Sequence, residues 1–411
     1  MKHIARAPLD ALTGARIVAA LWVVLYHSAT DFGIAHLFPQ ASGPELLTFG
    51  ALIVEQGYLA VDFFFVLSGF ILAYNYVTHD NEVRGGKTSF WIARFARIYP
   101  VYLLGVVLGV IEYLSDKHSA MAQVGTIGLH VVLLQSWIPA ALPIDLNPPD
   151  WSLAAEAFFY ALFPLLLPVF ARFGRRIQIG LAAGSWIAYI LTLIGLALLG
   201  HALGFSAGSP TWRTVSKFNP LPRLPEFLIG MALGIAFVRL HGLLNRTPPA
   251  PKPSNYRQVF SYDLGIMLLL VALGLVFLLE TPVATGNPVT SVMALFALPL
   301  FSVLIYVLAF QQGLFARVLS LRPVMWLGEI SYGIYILHWP LWSLWRKYVV
   351  SLMPFDIHSV WSLTVYLLIV VAAAGLSFKY LEVPTRRAVR AWWGKPKAAP
   401  IHVPEPVQAA Q

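Results

Sequence analysis

Apolar runs of close to twenty residues recur along almost the whole of this 411-residue chain. Runs of this length match a helix that crosses a bilayer core of about 30 Å. Strands of a membrane barrel are only about ten residues long and alternate in polarity, so the runs exclude that architecture. With 58% apolar and 11% charged residues, the chain also lacks the polar surface that soluble cores need. The sequence therefore predicts an all-α polytopic membrane protein.

Charges between the eleven apolar stretches predict how many of them cross the membrane. The fourth stretch, 123–138, is short and carries His130 and Gln135. If it does not cross and the N-terminus is cytoplasmic, 22 of the 28 Lys and Arg residues are cytoplasmic; if it crosses, only 12 are. The positive-inside rule favours the first arrangement. We therefore predict ten transmembrane helices, one short non-crossing apolar segment and two cytoplasmic termini.

The predicted spans divide the chain into a membrane domain, 1–391, and a Pro/Ala-rich tail, 392–411, which we expect to be disordered and cytoplasmic. A Pro-rich basic loop, 239–261, is also expected in the cytoplasm. The chain has no cysteine, which excludes disulfides and thiolate chemistry, and cytoplasmic loops account for its net charge of +9 without a nucleic-acid partner. The ten spans lie near 15–32, 54–77, 98–114, 152–171, 177–203, 224–238, 262–280, 290–310, 325–345 and 360–381.

Four ionisable residues interrupt otherwise apolar spans: His27, Asp62, Glu156 and His338. Such residues are costly in a bilayer and mark functional sites. A helical rise of about 1.5 Å per residue puts all four near or just beyond the midplane, on four different helices. We therefore predict that they form one buried polar site. The alternatives are a helix–helix hydrogen bond for His338 and, for Asp62, a helix cap or a partner that orients a histidine.

Three arginines, Arg16, Arg94 and Arg97, are predicted at the cytoplasmic ends of the first and third spans. Arg94 and Arg97 share one helix face, and a guanidinium group can hold a phosphate through two hydrogen bonds. Arg16 and His27 are eleven residues apart, about three helical turns, so one helix carries both. The sequence thus predicts a phosphate-binding group at the membrane surface and a base near the midplane. Simple anchoring of the chain is the alternative for the arginines.

The segment LTGARIVAALWVVLYH (12–27) resembles the first helix of the acyltransferase-3 family of bacterial membrane acyltransferases. That helix often begins Asp-Gly-Leu-Arg, whereas residues 13–16 here read TGAR, so we assign no role to position 13. Further segments resemble the family in the same order, and they lie at 57–74, 94–102, 151–164, 223–234, 326–342 and 382–387.

The resemblance implies an enzyme that moves an acyl group, often acetyl from acetyl-CoA, onto a sugar hydroxyl at the far side of the bacterial inner membrane. Its implied partners are the acyl-CoA donor, a glycan or lipid-linked sugar acceptor and the bilayer, and we expect no metal. Residues assigned to catalysis are His27 and Glu156, and those assigned to the donor are Arg16, Arg94 and Arg97. Residues assigned to the substrate or to support of the site are Asp62, Trp151, Ser152, Tyr160 and His338.

In this interpretation the CoA phosphates dock on the arginines, and His27 acts as a general base or, alternatively, as an acyl-carrying nucleophile. Glu156 would orient His27 or position the sugar. The main rival is a secondary transporter or flippase that uses the buried polar residues as a proton relay. The absence of an internal repeat disfavours it. A metal-dependent hydroxylase or desaturase is disfavoured because the eleven histidines are scattered singly.

Overall fold

A computed structural model describes residues 6–29, 45–114, 120–138, 146–205, 209–242, 256–279, 292–349 and 359–393. Nearly all of this part of the chain is helical, and its β-pairing is confined to one isolated bridge between Val77 and Val83. The all-α prediction is therefore confirmed. The main helices are α1 (Asp10–Ala29), α2 (Glu45–Glu55), α3 (Ala60–Tyr76), α4 (Lys87–Tyr113), α5 (Ala120–Val131), α6 (Trp151–Phe170), α7 (Arg175–Ala202), α8 (Pro220–Leu240), α9 (Tyr256–Leu279), α10 (Val292–Leu308), α11 (Gly313–Leu319), α12 (Arg322–Leu344), α13 (Val360–Ser377) and α14 (Val383–Trp393).

Within the described ranges, eight helical segments are long and apolar enough to cross a membrane. Helices α10 and α11 together make a ninth candidate, although the chain bends by 83° between them. Helix α12 has 23 residues, about 34 Å of helix, but it is less apolar than the eight. All ten predicted spans thus fall on helices of a multi-pass membrane protein, whereas their number stays a prediction.

The short fourth stretch forms α5, which has 12 residues and a length of about 18 Å. The chain then turns, and a single helical turn follows at Gln135–Trp137. A helix of this length is too short for a bilayer core of about 30 Å. That this stretch does not cross stays a prediction, as does the number of spans.

Buried polar contacts hold α5 and the turn after it against the start of α6. Nε2 of His130 lies 3.8 Å from Oδ2 of Asp150. Gln135 donates a hydrogen bond to Oδ1 of Asp150 at 3.0 Å, and the Tyr102 hydroxyl donates to the His130 carbonyl oxygen at 2.7 Å. Burial lowers the pKa of His130, so its imidazole is neutral near pH 7. Together these contacts fix the first turn of α6, where Ser152 lies.

Two closely packed helix pairs form the centre of the bundle: α3 with α8, and α1 with α12. Where α3 crosses α8, a methyl group at Gly69 would collide with the Phe227 carbonyl oxygen, and one at Gly230 with the Val66 carbonyl oxygen. Small residues allow transmembrane backbones to approach this closely. By contrast, only 11% of the apolar window of α7 and of α9 is buried. These two helices therefore face the lipid, and the central pairs carry both candidate histidines.

The predicted soluble segments lie mostly outside the described residues. This holds for 243–255 of the basic loop and for 394–411 of the tail. Helix α14 extends to Trp393, so the first two residues of the predicted tail are helical. The side chains of Trp392 and Trp393 are exposed.

Candidate active site

A cavity between α1, α3, α4, α6 and α12 contains most of the predicted site residues. On α6, three lining side chains follow one another at intervals of four residues, which places them on one helix face. Apolar residues and the hydroxyls of Ser68 and Tyr335 complete the lining. The predicted site residues in the lining are Arg16, Arg94, Arg97, Ser152, Glu156 and Tyr160.

The arginine end of the cavity is half-buried and rich in positive charge. Nη2 of Arg94 donates to the Tyr76 hydroxyl at 3.1 Å, and its guanidinium lies 5.4 Å from the centre of the Tyr76 ring. Nε of Arg94 is buried and has no hydrogen-bond acceptor within the described chain. Arg16 and Arg97 interact electrostatically with each other and with the buried carboxylate of Glu382. This end is therefore suited to an anionic group.

Glu156 lies along the cavity wall between the arginines and Ser152. Its Oε1 accepts a hydrogen bond from the Tyr160 hydroxyl one turn later and another from Oγ of Ser68 at 3.2 Å. The carboxylate interacts electrostatically with Arg16 and Arg94. No hydrogen bond between Glu156 and His27 occurs among the described contacts. Glu156 thus belongs to the arginine-lined cavity.

At the Ser152 end, the cavity reaches Tyr335 of α12. Oγ of Ser152 and the Tyr335 hydroxyl lie 2.8 Å apart, so one donates to the other, and they lie 3.1 and 3.0 Å from the Pro149 carbonyl oxygen, which accepts from the remaining hydroxyl. The Tyr335 ring centre lies 6.1 Å from that of His338, one turn further along α12. Tyr335 therefore connects the cavity to the histidines.

His27 and His338 form a direct contact, with 3.1 Å between Nδ1 of His27 and Nε2 of His338. Nδ1 of His338 lies 2.6 Å from the Tyr335 carbonyl oxygen, which can only accept a hydrogen bond. Because His338 then carries its proton on Nδ1, its Nε2 accepts a hydrogen bond from Nδ1 of His27. Neutral His27 consequently has its lone pair on Nε2, as a base requires.

Asp62 lies in a separate buried cluster, where it forms an ion pair with Arg223 of α8. Nη1 of Arg223 also lies 3.0 Å from Oε1 of Glu226, and it donates to the Tyr189 hydroxyl at 3.2 Å. The Arg223 guanidinium is 5.5 Å from the centre of the Trp151 ring. Asp62 and Trp151 are therefore neighbours of Arg223. The expectation that Asp62 orients a histidine or caps a helix is replaced by this ion pair.

The four ionisable residues thus occupy three places in the bundle. His27 and His338 contact each other, Glu156 lies in the cavity, and Asp62 pairs with Arg223. The sequence predicted one depth for all four, but the packing of their helices turns them in different directions. Among the described residues, no group of three or more His, Asp or Glu side chains is placed to hold a metal ion.

Sequence analysis missed several residues that complete these contacts. Arg223 precedes the predicted span 224–238 by one residue, yet it lies within α8 beside two carboxylates. The sequence could have indicated Tyr335, since it precedes His338 by three residues and therefore lies on the same face of the helix. Glu226 and Glu382 gave another, since both are carboxylates in apolar surroundings. The residues that complete these contacts and were not predicted are Arg223, Glu226, Tyr335 and Glu382.

Comparison with known proteins gives a family and several relatives. The chain is 32% identical over 234 residues to the acyltransferase MdmB of Streptomyces mycarofaciens, covering 55% of this chain and 57% of that protein. It is 24% identical to the peptidoglycan O-acetyltransferase OatA of Listeria monocytogenes and to the O-acetyltransferase OatA of Staphylococcus aureus, covering 93% and 92% of this chain and 56% and 57% of those proteins. The chain therefore spans a little over half the length of these relatives. No solved structure matches it significantly.

The acyltransferase-3 family model, which describes an acyltransferase domain, matches residues 9–378. This range contains the arginine-lined cavity and both contacting histidines. On the strength of that match, the chain belongs to the acyltransferase-3 family.

Proposed function

We propose that this chain is a membrane O-acyltransferase that moves an acyl group, in the simplest case acetyl, from cytoplasmic acyl-CoA to a hydroxyl of a surface glycan or lipid-linked sugar. The observation that carries the proposal is the contact of His27 with His338 beside a cavity that holds three arginines. The names of the relatives support O-acetylation of a glycan such as peptidoglycan. The distribution of Lys and Arg favours the bacterial inner membrane with both termini in the cytoplasm.

The donor end of the proposed site is the arginine end of the cavity. Arg16, Arg94 and Arg97 can each donate two hydrogen bonds to the phosphates of CoA. The buried Nε of Arg94 has no hydrogen-bond acceptor within the described chain. The face of α6 from Tyr160 to Ser152 covers eight residues, about 12 Å, which gives the acyl-carrying arm a path towards Tyr335. The donor thereby brings its thioester towards the histidine pair.

In the proposed reaction, His27 acts as the general base. Its Nε2 accepts the proton of the acceptor hydroxyl while that oxygen bonds to the thioester carbonyl carbon. The carbon–sulfur bond then breaks, and the imidazolium returns the proton to the departing sulfur. The products are an O-acyl sugar and the free CoA thiol, and His27 is neutral again.

His338 has a positioning role in this scheme. Its Nε2 accepts the Nδ1 hydrogen of His27 at 3.1 Å, which holds the ring in the tautomer that a base needs. When His27 becomes an imidazolium, the same hydrogen bond becomes charge-assisted and stronger. The Tyr335 carbonyl in turn keeps His338 oriented. We assign Glu156 a related role, because it holds Tyr160 and Ser68 along the donor path.

Mass spectrometry of surface glycans tests the acyltransferase proposal. Glycans from cells that carry the chain should bear O-acyl groups, and glycans from cells without it should lack them. Identical glycans from both would contradict the proposal. Binding of acetyl-CoA to the purified protein separates this function from that of a transporter or flippase, which would move a glycan precursor without binding a thioester.

A reporter enzyme fused to the C-terminus tests the proposed topology. Activity confined to the cytoplasm supports the arrangement in which 22 of 28 basic residues are cytoplasmic. Activity on the outer side of the membrane would contradict this arrangement, because every helix after the segment 123–138 would then have the opposite orientation.

A further inference from the structure

A second cavity adjoins the arginine end of the first and is walled by α4 and α14. Arg94 and Arg97 of α4 line both cavities. Arg386 and Arg390 of α14 line only the second, together with the aliphatic side chain of Val389. Four guanidinium groups thus surround a small space at the mouth of the donor cavity. We name this space the α4–α14 subsite.

The geometry of the two helices explains why these four arginines converge. Arg386 and Arg390 are four residues apart and share one face of α14, and Arg94 and Arg97 are three apart on one face of α4. Arg387 lies between them in sequence and, like Arg390, is exposed, but it is absent from the lining. The orientation of α14 therefore selects two of its three arginines for the subsite.

The positive charge of the subsite is only partly balanced within the described chain. Nη1 of Arg386 pairs with Glu382 at 3.1 Å. Arg390 forms no salt bridge with any carboxylate of the described residues. Four like charges that are only partly compensated, here by the carboxylate of Glu382, favour an anionic ligand. A planar guanidinium suits phosphate in particular. Attraction of α14 to anionic lipid headgroups would not by itself bring its arginines to a cavity shared with Arg94 and Arg97, as the lining shows.

We propose that the α4–α14 subsite binds the phosphates of the nucleotide portion of the acyl donor, with Arg386 and Arg390 as donor-binding residues. The inference rests on the proposed function, since it assumes a donor with an adenosine bisphosphate group. One extended ligand can occupy both cavities because they share Arg94 and Arg97. Its phosphates extend from the arginine end of the first cavity into the α4–α14 subsite, and its acyl arm lies in the first cavity beside Glu156.

Binding of acetyl-CoA and of adenosine 3′,5′-bisphosphate to the full chain in nanodiscs of zwitterionic lipid tests this inference. Arg390→Gln should weaken binding of both ligands about tenfold, the loss expected for one charge-assisted contact to phosphate. Arg390→Lys should weaken them less, because it keeps the charge. Arg387→Gln is the matched control, on the same helix but outside the subsite, and should bind both ligands like the unchanged protein.

The outcomes separate this inference from the function on which it rests. If the unchanged protein binds acetyl-CoA and Arg390→Gln binds it equally well, the subsite is wrong while the proposed function stands. If the unchanged protein binds no acetyl-CoA, both are wrong. Repeating the measurement with phosphatidylglycerol in the nanodiscs tests for a lipid site. The proposal would also be overturned if Arg390→Gln weakened binding of that lipid but left binding of both nucleotide ligands unchanged.

Discussion

Nδ1 of His27 and Nε2 of His338 lie 3.1 Å apart, although 311 residues separate the two histidines in the chain. The contact exists because α1 and α12 pack side by side along the centre of the bundle. The Tyr335 carbonyl oxygen fixes the proton of His338 on the far side of its ring. As a result, one histidine orients the other without any carboxylate in hydrogen-bond contact with the pair among the described residues.

Loss of His338 should slow acyl transfer without preventing donor binding. His338→Leu removes the acceptor for Nδ1 of His27, so we expect turnover to fall by a factor on the order of 10²–10³. His338→Gln should fall less, because its amide oxygen can accept the same hydrogen bond. Turnover of the purified variants at saturating donor measures the effect, and exposed His201→Gln is the control. Equal turnover of His338→Leu and the unchanged protein would contradict the positioning role.

Replacing Glu156 should separate turnover from donor binding. Glu156→Gln removes a negative charge that faces Arg16 and Arg94, so the site becomes more positive. We expect turnover to fall about tenfold or more, while acetyl-CoA binds at least as tightly as before. Titration calorimetry and initial rates measure the two quantities, with exposed Glu329→Gln as the control. Weaker donor binding by Glu156→Gln would argue against this placement.

The ion pair of Asp62 and Arg223 should contribute to stability. Asp62→Asn removes a negative charge that balances the buried positive charge of Arg223. Removal of one partner of a buried ion pair costs about 3–5 kcal/mol of unfolding free energy. The double variant Asp62→Asn/Arg223→Gln should lose less than the sum of the single variants. Thermal unfolding in detergent checks this, with exposed Asp80→Asn as the control. Additive losses would show that the pair makes no net contribution.

Close packing of α3 on α8 gives a prediction that needs no assumption about function. Gly230→Val places two methyl groups against the Val66 carbonyl oxygen and should cost about 3 kcal/mol of unfolding free energy. Gly184→Val is the matched control, because a side chain there meets no atom within 4 Å. We expect that control to change stability by less than about 0.5 kcal/mol. Equal melting temperatures for the two variants would contradict the packing of this helix pair.

Hydropathy predicted the helices because it is a local property of the chain. Every predicted span lies on a helix. The stretch 123–138, which the sequence shows to be short, contains a helix of only 12 residues, α5. The number of spans was less predictable, since α10 and α11 bend by 83° and α12 is only moderately apolar. His27 and His338 were both identified because each is an ionisable residue within an apolar span.

Partner choice between helices could not be predicted from one sequence. Asp62 and Arg223 are 161 residues apart, and only the packing of α3 on α8 brings them together. Sequence analysis assigned Arg223 to a loop because a cation at the edge of an apolar run normally faces water. The convergence of α4 and α14 depends in the same way on tertiary packing, so Arg386 and Arg390 were counted only as cytoplasmic charge.

The most direct test of the central claim is acyl transfer by His27→Ala from radiolabelled acetyl-CoA to a soluble glycan acceptor. The purified variant should bind acetyl-CoA like the unchanged protein and should transfer no label above background, because it lacks the proposed general base. Retention of full turnover by His27→Ala would contradict the account.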